Sequence, residues 1–434
     1  MVTLEALYLA FQASNGVSTD TRNIPPDSMF FALKGPKFDG NDYVHEALKI
    51  GAKFAVSDNP NIVPHPNILV VDDVLQSLQA LAGLHRAHYR APVLGITGTN
   101  GKTTSKELIS VVLAKKYVIH CTKGNLNNHI GVPLTILNAP NDADFWIIEM
   151  GANHAGEIKD LCEIAQPNEG YITNVGKAHL EGFGDEKTVL STKLALYQNV
   201  IKNNGILYYN TENIALLPFI TGYHKIKSFN TENIPFITKI SSENLTIRID
   251  INYQGKSFRV NSHLFGQFNA TNIIAAIFIG LTHEISIEHC IEAIEGYIPT
   301  NMRSQILPFL TDKKIILDAY NANPSSMKNA LESFANEHNT TKAVVLGEML
   351  ELGHQDQREH ENLIEQLINL GFDEIILIGK IYETSQALPL SSRVFPNIEK
   401  FNEAGGLESL KSKLILIKGS RGNGLERLIS NLQK

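Results

Sequence analysis

The run Gly95–Thr104, GITGTNGKTT, constrains this chain more than any other feature. An apolar segment, Val93–Ile96, leads into it, and a helix-forming pattern starts at Thr103. Strand, glycine-rich turn and helix in that order make a phosphate-binding loop. Glycines let backbone N–H groups close on phosphate oxygens, and the helix N-terminus adds partial positive charge. Gly98, Thr99, Asn100, Gly101, Lys102, Thr103 and Thr104 are therefore expected to hold ATP. Lys102 would reach the β- and γ-phosphates, and the Thr103 hydroxyl would help hold Mg²⁺. One departure from G-x-x-x-x-G-K-[ST] stands out: Ile96 occupies the first glycine position, and Gly98 supplies the glycine two residues later.

A chain of 434 residues is long enough for two to four domains, and the patterning around the loop suggests three. Residues 1–88 read as a small mixed α/β domain, with strand-like Ser28–Leu33, Lys53–Val56 and Ile68–Val71 and helical stretches at Val44–Ile50 and Val74–Arg90. Pro92 marks its end, because the residue before a proline is pushed out of the helical region. In 89–299, the apolar runs Val93–Ile96, Phe145–Glu149, Gly170–Thr173 and Gly205–Tyr209 alternate with amphipathic segments such as Ser105–Ala114 and Thr188–Ile201. That alternation predicts a parallel sheet covered by helices. Phe236–Val260 reads instead as antiparallel strands. The alternation resumes in 300–434 at Lys314–Asp318, Lys342–Leu346, Glu374–Gly379 and Leu414–Lys418, predicting a second, smaller parallel α/β domain.

Composition excludes several classes. A net charge of −7 and a pI near 6.1 speak against a nucleic-acid protein, which needs a basic surface. Apolar stretches such as Ile273–Leu281 fall far short of the roughly 20 residues of a membrane span. Glu5 and the lack of a basic-then-apolar start speak against a signal peptide, so a cytoplasmic location is expected. Cys121, Cys162 and Cys290 are far apart and lack metal-ligand spacing, so they read as inert thiols. Glu149 closes the apolar run FWIIEM; a carboxylate at a strand's carboxyl end can face the phosphates and ligate Mg²⁺. His179, in TNVGKAHLEGFG, and Lys193, in STKLALY, read by themselves as ordinary residues. Asn269 and Asn272 in GQFNATNIIAAI read as helix caps, and Asn321 and Asn323 as turn residues.

The short loop TGTNGKT together with these later motifs resembles the Mur ligases of peptidoglycan synthesis and the related folylpolyglutamate synthetases. The resemblance runs over nearly the whole chain and implies three domains: a UDP-substrate domain, a central P-loop ATPase-type domain and a Rossmann-like C-terminal domain that closes over the nucleotide. It implies that His179 binds a second Mg²⁺ and that Lys193 is carbamylated by CO₂ and also bears on metal, although Ala195 stands where many relatives carry glutamate. Lys102, Lys193, His179 and Glu149 would then be the catalytic set. Asn269 and Asn272 would contact the adenine side of ATP, with Phe268 in place of a family histidine. Arg303 would neutralise phosphate charge, and Asp318 would accept ribose hydroxyls.

The same resemblance points to a substrate. DAYNANP at Asp318–Pro324, LGEMLELG at Leu346–Gly353 and KGSRGNGLERL match the family members that add D-alanyl-D-alanine to UDP-N-acetylmuramoyl-tripeptide through an acyl phosphate. The D-N-P-R element of ligases that add a diamino acid is missing. Ser18, Thr19, Arg22 and Lys34 would hold the UDP end, Asn125, Asn127 and Asn128 the peptide, and Asn321 and Asn323 the substrate side of the last domain. His129 stands where relatives often carry a carboxylate. The expected partners are these small molecules alone, with the protein a monomer. The alternatives are a sister ligase adding a single amino acid and a nucleotide-binding protein without ligase activity. The retention of Lys102, Thr103, Glu149, His179 and Lys193 speaks against the second.

Overall fold

A computed structural model forms three α/β domains and describes residues 1–176, 180–230, 237–338, 340–385 and 387–430. In the first domain, four short parallel strands lie in the order Val17–Ser18, Met29–Phe31, Phe54–Ser57, Ile68–Val70. The helix Val74–His88 follows, opened by Asp73, whose side chain accepts the Gln76 N–H. Tyr89 is already extended, so the helix stops two residues short of the expected Arg90. Its apolar stripe, Val74, Leu78, Leu81 and Ala82, recurs at helical spacing and joins a core that also contains Trp146, Ile158 and Leu161. The first and central domains thus share one continuous core.

The central sheet has six parallel strands, in the order Ile226–Phe229, Ile206–Asn210, Glu169–Ile172, Val93–Thr97, Phe145–Glu149, Ile119–Cys121. The four inner strands are those expected from their apolar runs. The two edge strands are short, with exposed Lys227 and Ser228 in one and His120 between two residues in the other, so they leave no periodic signal. The expected antiparallel region is a three-stranded sheet, Ile237–Glu243, Thr246–Tyr253 and Lys256–Phe265. Its tight turns put Asn244–Leu245 and Gln254–Gly255 at positive φ, as two-residue hairpins require. Phe236 lies outside the described residues.

The C-terminal sheet runs Gln305–Phe309, Lys313–Asp318, Leu414–Lys418, Lys342–Gly347, Glu374–Ile378, Ser392–Phe395. It is mixed rather than wholly parallel, because Gln305–Phe309 returns through a hairpin and pairs antiparallel with Lys313–Asp318. Pro308 is tolerated there because the strand lies at an edge, where a missing N–H costs little. No helix among the described residues is long and apolar enough to cross a membrane. Cys162 and Cys290 are buried free thiols pushed up to about 12 by burial.

Arg86 ties the helix Val74–His88 to the central domain. Only 6% exposed, it donates to Ala165 O (3.0 Å), Tyr89 O (2.5 Å) and Gln166 O (3.3 Å), and burial pushes its guanidinium down to about 10. Arg86→Met leaves those carbonyls without donors, so it should lower stability by about 2–3 kcal/mol. Urea denaturation would show this as an earlier midpoint; an unchanged midpoint would mean water replaces the guanidinium at no cost.

Candidate active site

The strand Val93–Thr97 sits at the centre of the six-stranded sheet, buried throughout, and delivers the glycine loop to its carboxyl edge. Register places Ile96 beside Glu149 and Thr97 beside Ile172, so the loop emerges between two neighbouring strand ends. Both loop glycines are needed for close approach. Gly98 has φ +149°, and a Cβ there would lie 1.9 Å from Thr173 Oγ1; Gly101 has φ +78°, and its Cβ would lie 2.6 Å from Asn272 Oδ1. The segment after Ile172 grips the loop. Thr173 Oγ1 donates to Asn100 O (2.6 Å), and the Asn174 amide both donates to Asn100 O (3.0 Å) and accepts from Asn100 N (2.9 Å). Neither residue was among the sequence candidates, since an asparagine after a strand reads as turn chemistry.

Lys102 opens the helix Lys102–Leu113 and turns its ammonium onto Gly98 O (2.7 Å) and Thr99 O (3.2 Å). Burial pushes that ammonium down to about 8; Glu149 opposes the fall and Arg303 adds to it. Lys193, 3% exposed on the helix Glu186–Lys202, reaches the same Gly98 O (3.1 Å) from below. Burial, and next the charge of Lys102, hold it well below the usual lysine range.

Glu149 is 1% exposed, and its Oε1 accepts from Asn127 Nδ2 (2.7 Å). Its Oε2 is buried without a hydrogen-bond partner, beside the loop and the Thr103 hydroxyl in one cleft. A bare carboxylate oxygen facing a phosphate loop fits a hard cation such as Mg²⁺. Among the described residues no three His, Cys, Asp or Glu side chains gather as a metal site. His179 lies outside the described residues.

The cleft encloses about 1460 Å³ between the central and C-terminal domains. Thr99 to Thr104, Asn125, Asn127 and Asn128 line its central-domain wall, while Arg303, Asp318, Asn321 and Asn323 line the opposite one. Asn269 and Asn272 line it too, but their amides are engaged internally. Asn272 Nδ2 donates to Asn269 Oδ1 (2.8 Å), Ser105 Oγ to Asn272 Oδ1 (3.0 Å), and Asn269 Nδ2 to Phe265 O (2.9 Å) and Ser304 Oγ (3.1 Å). Asn128 Oδ1 accepts from Gly131 N (2.9 Å) at the start of a helix, and Asn321 Oδ1 from Ala322 N (2.9 Å). Asn323 caps the helix Pro324–Ala335 and donates to Asn100 Oδ1 (2.8 Å), while Asn100 donates to Ser325 Oγ (2.8 Å). Asp318 accepts from Ser304 N (3.2 Å) and pairs with the buried Lys418 (2.5 Å). Lys418 and Ser325 were not sequence candidates: strands 100 residues apart, or domains 225 apart, bring them in.

Ser18, Thr19, Arg22 and Lys34 do not line this cleft. They sit on the first domain, where Arg22 pairs with Asp20 (2.6 Å) and holds its carboxyl down to about 2, and Lys34 pairs with Asp58 (2.9 Å).

A phosphate loop on a parallel sheet, faced across a cleft by a second α/β domain carrying arginine and aspartate, defines a nucleotide enzyme whose site is completed by two domains. Family models place it further. Residues 14–96 match "Mur ligase family, catalytic domain", 96–280 "Mur ligase middle domain" and 302–421 "Mur ligase, glutamate ligase domain". The chain belongs to the Mur ligase family. It is 32% identical, over 96% of its length and 93% of the relative's, to UDP-N-acetylmuramoyl-tripeptide–D-alanyl-D-alanine ligase of Bacillus subtilis (strain 168). Its fold matches a crystal structure of MurF from Acinetobacter baumannii with a TM-score of 0.87 at 27% identity, covering 100% of this chain and 99% of that one. MurF from Thermotoga maritima in complex with ADP matches with a TM-score of 0.84 at 25% identity, covering 99% and 98%.

Gly98→Ala drives a methyl group into Thr173 at a left-handed φ, a strain of about 1–3 kcal/mol. The variant should bind ATP about ten- to a hundredfold more weakly in a fluorescent-nucleotide titration. Unchanged affinity would mean that the loop backbone does not close on the phosphates.

Proposed function

We propose that this chain is an ATP-dependent, ADP-forming ligase that adds D-alanyl-D-alanine to UDP-N-acetylmuramoyl-tripeptide, a step of peptidoglycan synthesis. The observation that carries the reading is the near full-length relation to the Bacillus subtilis enzyme of that name, in a chain whose phosphate loop faces a two-domain cleft. The γ-phosphoryl group of ATP passes to the terminal carboxylate of the tripeptide, giving an acyl phosphate and ADP. The amino group of the dipeptide then attacks the acyl carbon, phosphate leaves, and the amine loses a proton as the amide forms. A carboxylate alone is a poor acceptor for an amine because it lacks a leaving group, and phosphorylation supplies one.

The residues divide this work by position. Within the loop 98–104 the N–H groups of Thr99 and Asn100 are held by Asn174, leaving those of Gly101 to Thr104 to cradle the phosphates, and Lys102 moves from the loop carbonyls onto phosphate oxygens, offsetting charge as it shifts. Arg303 adds charge from the opposite wall, and Asn127 holds the Glu149 carboxylate in place. Thr103 and Glu149 would hold one Mg²⁺, with His179 and a carbamylated Lys193 serving a second. The ions supply neutralisation of the phosphate charge when bound. Lys193 suits carbamylation, because burial favours its neutral amine, the form that can attack CO₂, releasing a proton and gaining an anionic oxygen donor. In the first domain, Ser18, Thr19, Arg22 and Lys34 would take the UDP end, and on the central-domain wall Asn125, Asn127 and Asn128 would take the peptide. The cytoplasm, a monomeric state, and roles in cell shape and division belong to the same reading.

Phosphate release tests the reaction directly. Purified protein with ATP, Mg²⁺ and the UDP-linked tripeptide should release phosphate only when D-Ala-D-Ala is added, with a pentapeptide product by mass. Release only with the UDP-linked dipeptide and a diamino acid would replace the substrate and keep the chemistry. For the lysine, Lys193→Ala should lose about a hundredfold or more in kcat and recover part of it with short carboxylic acids. Full activity without such rescue would rule the carbamate out.

A further inference from the structure

The ring of Tyr320, in the C-terminal wall of the cleft, has two guanidinium groups against it. Arg303 Cζ lies 4.0 Å from the ring centroid and Arg421 Cζ 5.2 Å. Among the described residues neither guanidinium is paired with a carboxylate, and Arg303 Nε is buried without a hydrogen-bond partner. Two arginines brought to one ring repel each other, an arrangement that favours anions nearby. Arg303 has its anion in the phosphates of the reading above. Arg421 does not.

The position of Arg421 is fixed from beneath. It follows the strand Leu414–Lys418, whose last residue pairs in register with Asp318, and Asp318 leads directly to Tyr320. Ser420 Oγ accepts from Leu350 N (2.9 Å) and Ser420 N donates to Glu348 O (3.1 Å). Asn423 spans the same loop, accepting from Glu348 N (3.2 Å) and donating to Glu348 O (2.8 Å). The turn is therefore rigid while the guanidinium itself is exposed, a preorganised donor at the carboxyl ends of two adjacent parallel strands.

We propose that Arg421 binds the C-terminal carboxylate of the incoming dipeptide, holding it while the amino end reaches the acyl phosphate beside Arg303. A guanidinium offers a carboxylate two parallel charge-assisted hydrogen bonds. The inference rests on the D-alanyl-D-alanine reading.

The test compares D-Ala-D-Ala with its C-terminal amide in the wild type and in Arg421→Gln. Wild type should prefer the free acid, and Arg421→Gln should raise the KM for D-Ala-D-Ala about 30-fold or more, closing the gap between acid and amide. The KM for ATP should stay within about twofold, and Arg421→Lys should restore part of the preference. Retention of the wild-type preference by Arg421→Gln overturns the proposal, as does a parallel rise in both KM values, which would mark a structural defect. Wild type that ligates another amino acid but neither dipeptide overturns the substrate reading and the proposal together. That outcome is recognised without any variant.

Discussion

The carbonyl oxygen of Gly98 receives two ammonium groups, Lys102 at 2.7 Å and Lys193 at 3.1 Å. One peptide oxygen serves both amines, and burial together with the charge of Lys102 weakens the hold of Lys193 on its proton. This pair of amines lies at the phosphate loop, with Arg303 on the opposite wall of the cleft and Glu149 as the nearby anion. Although the chain carries a net charge of −7, Lys102 and Lys193 meet at one strand end. The position depends on glycine. A side chain at 98 or 101 would push the loop off Thr173 or Asn272 and separate the lysines from their shared acceptor.

The loop is also where the C-terminal domain is fastened. Asn100 exchanges hydrogen bonds with Asn323 and Ser325, and Asn269 reaches Ser304 just after Arg303. Ser242 of the three-stranded sheet adds a contact to Glu337 (2.7 Å). Such bonds are worth about 1 kcal/mol each. The Asp318–Lys418 pair is different. It is buried within the C-terminal domain, where removing one partner would cost about 3–5 kcal/mol. It ties two neighbouring strand ends of that wall together.

This division explains what the sequence could disclose. The phosphate loop was legible because its spacing, preceding strand and following helix lie within a dozen residues. Glu149 was legible for a similar local reason, as the last residue of an apolar strand. The partners of these residues were not. Asn174 grips the loop only because the strand Glu169–Ile172 lies beside Val93–Thr97, and no local pattern announces that neighbour. Asp318 is a visible strand-end carboxylate, yet its hydrogen-bonding capacity is partly taken by Lys418, from a strand paired with it across 100 residues. Edge strands of three or four residues escaped for the opposite reason: they are local, but too short and too polar to show a period.

The first domain's candidates lie off the cleft, an arrangement that suits a long substrate held at both ends. Arg22 and Lys34 are spoken for by Asp20 and Asp58, which at first sight weakens their claim on a diphosphate. Exposure reverses that argument. Arg22 is 88% exposed at the side chain and Lys34 51%, and exposed pairs are worth about 0–1 kcal/mol. Such a pair is easily exchanged for a doubly charged phosphate, while the carboxylate keeps the cation from wandering beforehand. A buried pair such as Asp318–Lys418 could not be exchanged at that cost. On the proposed reading the molecule uses weak exposed pairs where a ligand must displace them and a buried pair where the wall must stay fixed.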